Sequence, residues 1–222
     1  MKSFRTGSTI VFTLFVALFT LHSTAVAGEW RSLFNGENLD GWVMRGEGKG
    51  TPTFEVKDGK IIGSTLVPRN KTAFVATPEE YKDFELVYDA WVENDLNSGV
   101  QVRSTAEGNV KGPQVELDNG SPRTGFIFGQ GGGGWVSDMS SPPREFTSFK
   151  PFEWNTFRVR VEGQRIQVWI NDVQVEDVTS ERVPETGVIA LQVHGYPRGK
   201  KNAAGAKEIT SVAWKNIKIR EL

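Results

Sequence analysis

Apolar and polar residues alternate with a period of two from about residue 54 onward. Gly, Asn, Asp and Pro separate the runs, and no stretch carries a convincing helical period. In Phe84–Val92, Phe84, Leu86, Tyr88 and Ala90 fall on one face and Glu85, Asp89 and Trp91 on the other. Phe157, Val159 and Val161 alternate with Arg158 and Arg160, as Ile166, Val168 and Ile170 do with Gln167 and Trp169. Each run predicts a strand with one buried and one solvated side, because successive side chains leave a strand on opposite faces. Asn171-Asp172 is turn chemistry, so residues 157–178 predict a hairpin closed around Ile170 and Val173. Glu162-Gly163-Gln164 supplies another turn just before it. Ten or more short strands with turn signals between them predict an all-β sandwich or barrel, with a jelly roll favoured.

Residues 125–144 break the alternation. Gly129-Gln130-Gly131-Gly132-Gly133-Gly134-Trp135, followed by Ser140-Ser141-Pro142-Pro143, predicts a long mobile loop, either a lid over a pocket or plain surface. A phosphate cradle is disfavoured, because no Gly-Lys-Ser/Thr ending and no helix follow the glycines.

The start of the chain has a different character. Lys2 and Arg5 precede an uncharged run at residues 9–21, and Ala25-Val26-Ala27 supplies a small-x-small cleavage site. That order predicts a cleavable signal peptide over residues 1–27, and a periplasmic or secreted protein. The apolar run is shorter than the ~20 residues needed to span a bilayer, so no membrane anchor is expected after cleavage. Residues 28–222 then form a single domain, carrying a net charge of −3 and His194 as the only histidine. Sites built from two or three histidines are therefore excluded within one mature chain. The 222 residues contain no Cys, which removes disulfides, thiolate metal sites and thiol nucleophiles. Acids and bases are interspersed and nearly balanced, leaving no electrostatic footprint for nucleic acid.

Three runs place polar residues at alternate positions: Gln101 with Arg103, Gln114 with Glu116 and Asp118, and Gln192 with His194. If these strands share a sheet, one face carries an arginine, two carboxylates, three glutamines and the histidine. Planar polar groups bond sugar hydroxyls, and flat rings such as Trp91 and Trp135 stack on apolar sugar faces, so the set fits a carbohydrate. Any solvated sheet face also alternates in this way, and a lone histidine is commonly structural. Glu116 and Asp118, two apart on a strand, are spaced ~6.6–6.8 Å at the backbone. A retaining glycosidase needs its carboxylates ~5–5.5 Å apart, so the pair is compatible with that chemistry without demonstrating it. No Glu-x-Asp-x-x-Glu run of the laminarinase type occurs.

Several segments, in order, resemble the 3-keto-disaccharide hydrolase family, a bacterial family formerly of unknown function. The opening Leu33-Phe34-Asn35-Gly36, with Leu39-Asp40-Gly41-Trp42, is the most specific. Residues 54–63 (FEVKDGKIIG), 81–86 (YKDFEL), 97–103 (NSGVQVR), Trp154-Asn155, 169–173 (WINDV), 187–195 (GVIALQVHG) and 214–219 (WKNIKI) follow. The resemblance spans residues 29–222 and implies a jelly-roll sandwich of the concanavalin-A-like type. It implies cleavage of the glycosidic bond of 3-keto-glycosides or 3-keto-disaccharides, by hydrolysis or β-elimination, with a functional link to a sugar 3-oxidoreductase. For that chemistry the candidates are Glu116 or His194 as base and acid and Arg103 for the developing enolate or the substrate hydroxyls, with Gln101, Gln114, Asp118, Gln192, Trp91 and Trp135 as substrate binders. Relatives commonly read Gly-x-Glu-x-Gln where this chain has Gly112-Pro113-Gln114-Val115-Glu116, so Glu and Gln are exchanged. Residues 196–213 look like an insertion before the last strand. No metal-ligand run is present, although a divalent cation such as calcium, held by Asp and backbone oxygens, remains open as a cofactor. The alternatives to an enzyme are a non-catalytic carbohydrate-binding module on the same fold and an envelope adhesion protein.

Overall fold

The two-residue period becomes two antiparallel sheets that press their apolar sides together. The structure is a computed structural model and describes residues 28–46, 53–66, 72–93, 96–119, 121–140, 148–197 and 209–222. The predicted signal at 1–27, residues 141–144 of the glycine-rich stretch and 198–208 of the insertion lie outside these. All regular structure among the described residues is strand. In chain order the strands are β1 (Arg31–Ser32), β2 (Val43–Gly46), β3 (Thr53–Lys57), β4 (Lys60–Leu66), β5 (Ala73–Ala76), β6 (Phe84–Val92), β7 (Leu96–Ser104) and β8 (Gly112–Asp118). There follow β9 (Ile127–Gln130), β10 (Gly134–Trp135), β11 (Asn155–Glu162), β12 (Arg165–Ile170), β13 (Val173–Thr179), β14 (Val188–Pro197) and β15 (Ile209–Glu221). One sheet runs β13-β12-β11-β6-β15-β4-β3, with β1 added against β15; the other runs β10-β9-β8-β7-β14-β5-β2.

The predicted hairpin is present: β11, β12 and β13 pair in sequence, and Ile170 faces Val173 across the turn. Asn171 and Asp172 take φ of 48° and 67°, the double left-handed turn that suits the twist of a two-residue hairpin. Part of the stretch expected to be loop is instead a second hairpin, β9 with β10. Gly131, Gly132 and Gly134 adopt positive φ there. Arg182 binds the hairpin from outside, its Nη1 donating to Trp135 O at 2.8 Å and its Nη2 to Gly133 O. That cross-link comes from a distant segment, which is why glycine content alone points to a loop.

Phe84, Leu86, Tyr88, Phe157, Val159, Ile166, Val168 and Trp214 of the first sheet meet Val100, Val102, Val115, Ile127, Leu191 and Val193 of the second in one core. Tyr88 stacks on Phe157 with centroids 5.1 Å apart. The two layers approach closely at Gly63 of β4. A Cβ there would lie 2.1 Å from Val193 Cγ2 and 3.3 Å from the Trp214 ring, so only glycine admits Val193 at this depth.

Arg103 breaks the alternation at the end of β7. Its φ of +52° is in the left-handed region, uncommon for a residue with a Cβ, and turns the side chain out of phase with Gln101. The guanidinium, 1% exposed, donates to Asp83 Oδ1 at 2.7 Å, to Pro184 O at 3.0 Å, to Gly163 O at 2.5 Å and to Lys82 O. Gly163 N donates to the same Asp83 oxygen at 2.7 Å. Burial pulls the guanidinium pKa below that of a free arginine, and the Asp83 charge acts against that shift. The expectation that Arg103 shares the polar face is therefore corrected: its donors hold three loops and a carboxylate together.

Two stability measurements follow. Gly63→Ala should lower the unfolding free energy by about 1–3 kcal/mol, the usual cost of overpacking. Adding Val193→Ala should recover part of the loss, as a urea-melt double-mutant cycle reads directly. Arg103→Ala should cost about 3–5 kcal/mol, because it leaves buried carbonyls and Asp83 without their donor. A melting temperature unchanged from wild type would contradict the cross-link.

Candidate functional site

Register places the polar residues of the seven-stranded sheet in rows across its outward face, because directly paired residues share a side. One row runs Arg45, Phe74, Gln192, Gly99, Glu116 over β2, β5, β14, β7 and β8. The next runs Val43, Ala76, Ala190, Gln101, Gln114, Phe128, Trp135, reaching both edges. Asn97 pairs with Asp118 at the other flank of the first row. Strands are spaced about 4.8 Å and residues of one face about 6.8 Å along a strand, so the rows form a regular array. Gly99 leaves room in the middle of it: a Cβ there would lie 2.6 Å from Gln114 Cγ.

This face is not solvated. Gln101, Gln114, Gln192 and Asp118 are each 1% exposed or less, and Glu116 is 7% exposed. A buried amide is costly unless bonded, and these amides bond to one another. Ser104 Oγ donates to Gln101 Oε1 at 2.8 Å, and Gln101 Nε2 donates to Gln114 Oε1. Gln114 Nε2 donates to Glu116 Oε2 at 2.8 Å and approaches Gln192 Oε1 and Ser98 O at 3.3 Å. Asn97 Nδ2 donates to the other Glu116 oxygen. Gln192 Nε2 donates to Gln130 Oε1 at 3.0 Å, carrying the network to β9. The amides thus converge on Glu116, with one N–H donor to each carboxylate oxygen.

Gln101, Gln114, Glu116, Asp118 and Gln192 are gathered on one face, as the alternation predicts. His194 lies two residues past Gln192 on β14 and is half-buried. The β14–β7 register shifts between Val193 and Pro197, directly at this residue, and such a shift re-aims side chains. Trp135 stands on the same face at the β10 edge, its ring set against Phe128 at 5.2 Å and beneath the Arg123 guanidinium at 5.3 Å. Two assignments are corrected by placement. Arg103 is bound up at the end of the sandwich, as described above. Trp91 belongs to β6 of the other sheet, where its Nε1 donates to Phe152 O at 3.0 Å, so the hydrophobic core separates it from Glu116.

Asn97, Gln130 and Arg45 were not singled out by the sequence. Asn97 is in phase with Gln101 inside the NSGVQVR motif, so the period-two count extended two pairs back would have found it. Gln130 is hidden among glycines. Arg45 becomes visible only through strand pairing; its Nε is buried without a hydrogen-bond partner. Among the described residues, no group of three or more His, Asp or Glu is arranged to hold a metal ion.

The fold is similar to that of several solved structures. A candidate glycosyl hydrolase from Parabacteroides distasonis is 20% identical with a TM-score of 0.57, over 88% of this chain and 94% of that one. The carbohydrate-binding module CBM66 from Bacillus subtilis is 16% identical with a TM-score of 0.55, over 80% and 93%. A Bacillus licheniformis β-glucanase is 10% identical with a TM-score of 0.58, over 89% and 99%. At these identities the likeness establishes an all-β, jelly-roll architecture of two antiparallel sheets. No match is found among curated proteins. A family model for the 3-keto-alpha-glucoside-1,2-lyase-like domain matches residues 29–220, and the chain belongs to that family.

Proposed function

We propose that the protein cleaves the glycosidic bond of 3-keto-glycosides by β-elimination followed by hydration, with Glu116 as the base. The observation that carries this reading is the convergence of buried amides on one carboxylate in a chain of this family. A ketone at C3 acidifies the hydrogen on C2. Glu116 takes that proton, and the C2–H electron pair forms an enolate with its charge on the C3 oxygen. The enolate collapses to a C1=C2 bond as the C1–O bond breaks, and the departing oxygen receives a proton from His194. Water then adds across the double bond, with hydroxyl to C1 and hydrogen to C2, giving the free 3-keto sugar. Neither a glycosyl-enzyme intermediate nor a second carboxylate is required.

The remaining residues divide the work by position. Gln101 and Gln114 have their amides engaged with each other and with Glu116, so they orient the base. Donors near the C3 oxygen would stabilise the developing enolate, the largest single contribution in many enzymes. With Arg103 sequestered, we assign this role to Gln192, which shares a row with Glu116 two strands away. Phe128 and Trp135 offer a stacking surface at the β10 edge for the sugar or its leaving group. The export signature at residues 1–27 would place this chemistry in the periplasm or outside the cell, downstream of an oxidoreductase that makes the ketone.

The test is release of product from 3-keto-trehalose or a 3-keto aryl glucoside beside the unoxidised sugars, with and without EDTA. Release from the keto substrate alone is expected, and Glu116→Gln should reduce turnover by about 100-fold or more. Wild-type turnover by Glu116→Gln would remove the base assignment. Binding of the sugars without any cleavage would instead favour a carbohydrate-binding module, for which the same amide face would serve as the binding surface. Loss of activity with EDTA, restored by calcium, would add a cation to the mechanism.

A further inference from the structure

We propose that the outer face of the eight-stranded sheet carries a second carbohydrate site, a groove that takes a neutral glycan chain. The groove has a volume of about 670 Å³ and is lined by Glu55, Lys57, Trp91, Glu93, Trp154 and Ser211, among others. That is within the range of clefts that bind organic ligands. Two tryptophans on the solvent side of a sheet are unusual where the same strands otherwise present Glu85, Asp89 and Lys215. Each ring is held in place by its own contact. Trp91 Nε1 donates to Phe152 O at 3.0 Å, and Lys215 Nζ lies 4.3 Å from the Trp154 ring centroid. Rings fixed before binding lose little freedom on binding, which favours a stacking platform over a collapsing apolar patch.

The polar part of the lining narrows the ligand class. Glu55 and Glu93 are balanced by Lys57 and Lys60, so a polyanion and a polycation would each meet like charge. Ser64 and Ser211 hydroxyls lie 2.9 Å apart in the groove, and Glu93 Oε2 accepts from Ser211 N at 2.8 Å. Flat rings, hydroxyls and carboxylates with no net charge suit a chain of neutral pyranoses, whose CH faces stack and whose hydroxyls accept and donate. The site is on the opposite side of the core from Glu116. It would hold a polysaccharide while the amide-lined face works on a separate sugar, which raises the effective concentration of substrate near the protein.

The test uses cellohexaose, laminarihexaose and maltohexaose as neutral probes and hexagalacturonate as an acidic one. In wild-type protein, at least one neutral probe should shift the indole Nε1 resonances of Trp91 and Trp154 and leave that of Trp135 unmoved. Trp154→Ala and Trp91→Ala should each weaken that binding by about tenfold in calorimetry, consistent with losing one stacked ring. Glu116→Gln should bind the same probe as wild type does, which separates this site from the proposed catalytic one. No shift with any neutral probe, shifts confined to Trp135, or preference for hexagalacturonate would overturn the proposal. The wild-type resonances decide the question even if a tryptophan variant fails to fold.

Discussion

The contact between Gly63 and Val193 fixes which side of β14 faces inward, and the candidate site depends on that choice. Val193 penetrates to a depth that no side chain at residue 63 would permit, beside the Trp214 ring. With Val193 and Leu191 committed to the core, Gln192 must emerge on the opposite face. A slip of one residue would exchange the two sets and bury the apolar residues in the polar array. Pairing then carries the position outward, from Gln192 to Gly99 and from Gly99 to Glu116. The carboxylate is thus located by packing two strands away. Arg103 performs the complementary task at the end of the sandwich, where loops have no ladder to position them.

The amide chain is directional because of where it ends. A carboxylate accepts only, so the amides of Asn97 and Gln114 must turn their N–H groups toward Glu116. The Gln114 carbonyl is then free to accept from Gln101, whose own carbonyl takes the Ser104 hydroxyl. Each buried polar group left unpaired would cost about 1–3 kcal/mol, so every member stabilises the orientation of the next. Such a network is expensive to build merely for stability, since apolar residues of similar volume pack as well without it.

Much of this was legible in the residue pattern, and the exceptions have definite causes. Alternation reports the face of each strand, so the burial of Phe84, Leu86 and Tyr88 and the clustering of Gln114, Glu116 and Gln192 followed from it. It does not report the sheet to which a strand belongs. Trp91 was therefore grouped with residues on the far side of the core. It also assumes an extended backbone, and the positive φ at Arg103 falls outside that assumption. Burial of the polar face was likewise not visible, because a solvated face and a network of mutually bonded amides share the same period. The family resemblance rested on motifs spread over the chain and identified the relationship that the family model matches over residues 29–220.

The two outward faces of the sandwich show what kind of electrostatics each can support. On the eight-stranded sheet, Glu85 is surrounded by guanidiniums, with Arg220 Nε at 2.9 Å and Arg158 and Arg160 at 3.6 and 3.4 Å. Such a cluster of charge-assisted bonds ties the carboxylate to side chains of β11 and β15 and makes it a structural anchor. On the seven-stranded sheet, Glu116 accepts from the amides of Asn97 and Gln114, which fix its direction. For the proposed base that orientation matters, because a proton is taken along the lone pair of a fixed oxygen. Amide donors bond the ionised carboxylate too, so what they supply is a fixed direction, and the charge that develops on an enolate needs donors of its own. Arg103, engaged by Asp83 and by the carbonyls of Lys82, Gly163 and Pro184, is not among the candidates for that second role.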